Sequence, residues 1–104
     1  MTPVRYSPTA EGRLAEIYVY TRETWGEAQA DRYLRGLADA VTGIARGDIV
    51  SRRLPAEFGA EGWYARHERH VIYWKQLPDG AIGVVTILHE RMHQMDRFRE
   101  DAGD

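Results

Sequence analysis

The period of the hydrophobic pattern changes twice along the chain, and each change marks an element boundary. Val4-Arg5-Tyr6 alternates apolar and polar, which predicts a short first strand. Ser7-Pro8 then reads as a helix start, with Ser7 as N-cap and Pro8 at the first helical position, where no backbone donor is lost. Ala10, Leu14, Ile17, Tyr18, Thr21 and Trp25 follow at helical spacing. Trp25-Gly26-Glu27 interrupts the pattern. A second helix places Ala30, Tyr33, Leu34, Leu37, Ala38, Val41, Ile44 and Ala45 on one face and should end near Arg46, where Gly47 can cap it in the left-handed conformation. Residues 8–46 are therefore expected to form a helix hairpin.

Pro55, Gly59 and Gly62 make residues 47–62 a loop. Strand-like runs follow at Trp63 to His67, His70 to Leu77 and Ala81 to Leu88, with Pro78-Asp79-Gly80 turning the chain between the last two. Met92, Met95 and Phe98 are spaced as a short helix that packs back on the domain, and the end, residues 98–104, is expected to fray. The predicted order is β-α-α-β-β-β(-α): one α+β domain over residues 1–104, with an antiparallel sheet carrying the helix hairpin on one face and a short C-terminal helix or tail.

Both faces of this sheet are apolar. Val71 and Tyr73 alternate with Ile72 and Trp74, and Ile82, Val84 and Leu88 with Val85 and Ile87. A hairpin covers one face only, so the other needs the loop 47–62, the tail helix or another chain. An uncovered apolar face marks a binding surface. Tyr33 and Leu37 are expected partly outside the core on the second helix.

With 104 residues and 43% hydrophobic positions, one modest core is the expectation. The absence of cysteine removes disulfides, thiolate metal sites and a thiol nucleophile, and suits a reducing compartment. No apolar run approaches the about 18 residues of a membrane span, and Met1 to Pro8 does not resemble a signal peptide, so a cytoplasmic location is expected. A net charge of −2 lacks the basic excess of a protein held on phosphates, and sequence-specific DNA binding by this chain alone is not expected.

His89-Glu90-Arg91-Met92-His93 spells H-E-x-x-H, the zinc-protease pattern. Its chemistry requires a helix, so that both imidazoles reach one ion beside the general base, and it requires a third protein ligand. Here His89 directly follows the strand-like run VVTIL, and His67 and His70 sit on another hairpin. No metal site and no cofactor are expected.

The residues around the pentapeptide support a different reading. His70-Val71-Ile72-Tyr73-Trp74, a turn, and a strand ending Ile87-Leu88-His89-Glu90-Arg91-Met92 resemble the C-terminal half of ParE-type toxins of the RelE/ParE toxin–antitoxin superfamily. Tyr6-Ser7, Ala10, Leu14, Ile17, Tyr20, Trp25-Gly26, Gln29-Ala30 and Tyr33 are similar to its N-terminal half, so the resemblance spans about residues 3–97. His93 departs from it, standing where the family usually has Asp.

The resemblance implies a toxin of a type II toxin–antitoxin system that inhibits DNA gyrase without being an enzyme and is neutralised by a cognate ParD-like antitoxin. His89, Arg91, Met92, Met95 and Phe98 are then target-contact candidates. Tyr33, Leu37, Ile72, Trp74, Val85 and Ile87 are antitoxin-binding candidates. Two alternatives stay open. One is a RelE-like ribosome-dependent messenger RNA endoribonuclease, for which Arg66, His89 and Arg91 would be catalytic; against it, Lys75 is the single lysine and no tyrosine follows Tyr73. The other is a non-toxic member that only binds its antitoxin.

Overall fold

The computed structural model describes residues 2–103. Strand β1 (Val4–Tyr6) leads into helices α1 (Pro8–Trp25) and α2 (Glu27–Arg46). A two-residue strand β2 (Arg52–Arg53) and a 3-10 turn (Ala56–Phe58) follow, then β3 (Trp63–His67), β4 (His70–Gln76), β5 (Ile82–His89) and α3 (Gln94–Ala102). Helix α1 starts as the sequence predicts, with the Ser7 hydroxyl accepting from the Ala10 N–H at 2.9 Å. Helix α2 ends at Gly47, whose φ of 80° lies in the left-handed region that a side chain disfavours.

The α+β class and the element order are as expected. The sheet is mixed rather than purely antiparallel: its order is β1-β5-β4-β3-β2, and β1 runs parallel to β5. A parallel partner needs a crossover, and the chain supplies one through the hairpin and the meander between β1 and β5. Residues 47–62 are also not all loop, since β2 pairs with β3 along one edge.

A register shift at Val85 decides which side chains share a face. Tyr73 pairs with Thr86, but Trp74 pairs with Val84, so Val85 is an extra residue in β5. Strict alternation would group Val84 with Leu88 and Val85 with Ile87. The bulge instead puts Val84 and Ile87 in the core under α1 and α2, with Ile17, Leu37, Val41, Ile44 and Ile72. Val85 and Leu88 join Val71, Tyr73, Phe58 and Phe98 on the opposite face.

That opposite face is covered by the chain itself, through Leu54, Phe58, Met92 and Phe98. The expectation of a frayed end is corrected for residues 98–102 for the same reason, while residue 104 lies outside the described residues. Residues 99–102 continue α3, and Asp101 accepts from Arg13 (Nε 3.0 Å, Nη2 3.1 Å) and from the Thr86 hydroxyl at 2.7 Å. At the other end of α3, Gln94 accepts from the Tyr73 hydroxyl at 2.7 Å and donates to the His89 carbonyl at 2.7 Å. A helix of 9 residues is marginal alone, so these contacts and buried Phe98 hold it. Phe98→Ala is therefore expected to cost about 3 kcal/mol, read as a lowered urea midpoint with a matching loss of helical signal; a frayed tail would leave the midpoint unchanged.

Candidate functional site

The end of β5, the β3–β4 turn and the facing halves of α1 and α2 enclose a groove of about 700 Å³. Ile87 and His70 form part of its wall from the sheet, and Tyr33 comes from α2. Tyr20 and Trp25 project from α1 at 66% and 70% exposure, large aromatic surfaces left to water. Arg69, His89, Arg91 and Met92 complete one rim.

Below this rim lies a linked set of rings. The Tyr33 hydroxyl is 2.5 Å from His70 Nδ1, and the His70 and His89 rings meet edge to face at 5.2 Å. Burial pushes the Tyr33 hydroxyl pKa up, so the hydroxyl keeps its proton in its hydrogen bond with His70. Burial, and then the neighbouring His89 and His67, lower the His70 pKa to about 4. Burial, and then Arg91 and Arg69, lower that of His89. Both imidazoles are therefore neutral near pH 7. His67 packs against α2 at Gly36, where an added Cβ would sit 3.1 Å from its Nε2, so glycine permits the close approach.

Glu90 joins the two turns. Its carboxylate accepts from Arg66 and, at 3.5 Å, from Arg69, while its N–H donates to the Arg69 carbonyl at 2.8 Å. Arg66 is thus committed to Glu90 and does not line the groove, whereas His89 and Arg91 do.

The five target-contact candidates divide. His89, Arg91 and Met92 come together at the rim; Met95 lies outside the lining, and Phe98 is buried in the second core. The antitoxin-binding candidates are more widely dispersed. Leu37, Ile72 and Ile87 are buried in the chain's own core, and of these only Ile87 reaches the groove wall. Trp74 stacks on Trp63 at 4.8 Å and donates its Nε1–H to Ser51, outside the groove lining, and Val85 faces the α3 side. Only Tyr33 and Ile87 of the six line the groove. Sequence reasoning did not single out Tyr20, Trp25 or Arg13 as lining residues. The available signal was Tyr20, an aromatic residue off the apolar stripe of α1.

His89 ends β5 and His93 precedes α3 in an extended conformation, so the H-E-x-x-H pattern spans a turn and not one helical face. No group of three or more potential metal ligands occurs among the described residues. No helix among them is long and apolar enough to cross a membrane.

Residues 4–94 match the family model described as "ParE toxin of type II toxin-antitoxin system, parDE". The chain belongs to the ParE toxin family. It is 34% identical over 100 residues to Toxin ParE of Escherichia coli, an alignment covering 96% of each chain. It is 33% identical over 86 residues to Toxin ParE1 of Mycobacterium tuberculosis, covering 83% of this chain and 87% of the relative. The groove and its rim, up to Met92, fall within the stretch matched to the ParE family.

The neutral imidazoles give this ParE-family fold an acid limit. A folded His70 pKa of about 4 against an ordinary 6.5 means that the unfolded chain binds the proton more readily between those values. The contribution is fully present above pH 6.5 and is lost as pH falls through about 4, amounting to about 3 kcal/mol. Urea unfolding across this range should show that slope in the wild type and a flatter one in His70→Gln.

Proposed function

We propose that this toxin inhibits DNA gyrase by binding rather than by catalysis, acts in the cytoplasm, and is held inactive by a ParD-like antitoxin segment seated in the groove. Family membership over residues 4–94, together with the convergence of His89, Arg91 and Met92 on one rim, carries this reading. The exposed guanidinium of Arg91 and the half-buried Met92 offer the target a charge beside an apolar surface. The antitoxin reading draws on Tyr20, Trp25 and Tyr33, which present aromatic area to an apolar face. Arg91 stands ready for partner carboxylates, beside Arg69, which is paired with Glu90. This seat replaces the sheet face expected from the sequence, which the chain covers for itself. The place of Arg66 outside the groove that His89 and Arg91 line disfavours a nuclease centre built on the three.

Purified protein titrated into a gyrase supercoiling reaction tests the target. Loss of supercoiling or trapped DNA breaks, with messenger RNA left intact in a parallel translation reaction, is the expected result. Cut messages with normal supercoiling would replace the reading with a ribonuclease. Arg91→Ala should weaken gyrase inhibition by about tenfold while leaving thermal stability unchanged, as truncating an exposed contact residue does. Trp25→Ala should cost about 2 kcal/mol of affinity for the co-expressed antitoxin, measured by calorimetry, with supercoiling inhibition by the free toxin retained.

A further inference from the structure

His89 is more than a rim residue. Its Nδ1 lies 3.1 Å from the backbone nitrogen of Arg91. A backbone N–H can only donate, so Nδ1 is the acceptor and carries no proton. The other bonds of this turn use peptide or amide groups that do not titrate. Met92 N–H donates to the His89 carbonyl at 3.0 Å, Gln94 Nε2 donates to the same carbonyl at 2.7 Å, and Glu90 N–H donates to the Arg69 carbonyl at 2.8 Å. Of the N–H groups at Glu90, Arg91 and Met92, that of Arg91 alone depends on an acceptor that titrates.

We propose that His89 is a positioning residue: its unprotonated Nδ1 fixes the Arg91 backbone and so aims the exposed guanidinium, and the turn from His89 to Met92 keeps this form only while the ring is neutral. Protonation at Nδ1 converts the acceptor into a donor facing another donor, and the bond is lost. The surroundings favour the neutral ring. Helix α1 contributes Arg13, held by Asp101, and exposed Glu16; α2 contributes the uncharged Tyr33. The β3–β4 turn contributes Glu68 and Arg69, β4 contributes His70 edge-on, and the ring's own turn contributes Arg91 and Glu90, the latter already bound by Arg66 and Arg69. No carboxylate among the described residues is hydrogen-bonded to the His89 ring to stabilise a charged form.

The consequence for gyrase rests on the function proposed above; the turn itself does not. Asn supplies an acceptor at the position of Nδ1 without titrating, and Leu supplies none, so His89→Asn and His89→Leu separate the acceptor from the ring. The Arg91 amide resonance of the full chain would be followed by NMR from about pH 7.5 downward until the His89 ring's own resonances have titrated, with the Ile72 and Val84 amides as references for the fold. In the wild type, the Arg91 amide should shift and lose exchange protection as the His89 ring titrates. In His89→Asn it should stay constant, and in His89→Leu it should be unprotected throughout.

An Arg91 amide indifferent to the ring's titration, or one that titrates equally in His89→Asn, would overturn the proposal. At about pH 7.5, His89→Asn should inhibit gyrase about tenfold more strongly than His89→Leu, the ratio expected for one hydrogen bond. Equal potency of the two would overturn the link to toxicity. If the wild type itself does not inhibit gyrase, the target reading fails, and the amide titration still decides the role of His89.

Discussion

The extra residue at Val85 is the constraint on which the site depends. Because Tyr73 pairs with Thr86 and Trp74 with Val84, the last part of β5 is rotated by one position relative to its start. Ser7 fits this irregularity. Its N–H donates to the Val84 carbonyl at 3.0 Å and its hydroxyl to the Val85 carbonyl at 2.8 Å, while the same hydroxyl caps α1. One small residue thus ends the parallel pairing, satisfies the bulge and starts the helix that walls the groove. Without the rotation, Ile87 and His89 would fall on the α3 side, and the groove would lose both its floor and its central ring.

Thr86, one residue past the bulge, ties the second face to the first. It meets Asp101 of α3, which also holds Arg13 of α1, so the two layers are joined through a carboxylate that is only 10% exposed. Burial of a charge is tolerable here because three donors satisfy it. The groove therefore does not receive Arg13 as a free cation. Among the described residues, its unpaired positive charge is Arg91, with Arg69 on Glu90 beside it and two imidazoles kept neutral, which concentrates charge at the rim and leaves the interior apolar.

Local chemistry was legible in the sequence wherever one residue type has one main use. Ser7-Pro8, Gly47 and Pro78-Asp79-Gly80 placed their boundaries correctly, and the aromatic and aliphatic strands announced a sheet with two covered faces. The bulge was not legible, because nothing in Gly83-Val84-Val85-Thr86 distinguishes a slipped register from alternation. The pairing of β1 with β5 was hidden because it joins residues 78 positions apart, as in Val4 with Ile82. The candidate site followed the same rule. His89, Arg91 and Met92 lie next to one another in the chain and were found together. Tyr20, Trp25 and Tyr33 meet them only through tertiary packing, and the burial of Leu37, Ile72 and Ile87 was not legible because it depends on what the rest of the chain covers.

The three tryptophans have an unequal placement with an optical consequence. Trp63 and Trp74 stack on each other in the sheet, with Arg53 over the Trp63 ring, and neither lines the groove. Trp25 stands apart at the groove mouth, largely in water. The molecule thus carries an intrinsic fluorophore whose emission colour reports occupancy of the groove, alongside a packed pair whose emission reports the integrity of the sheet. A partner seated in the groove as proposed above would therefore be distinguishable from unfolding in a single unlabelled sample.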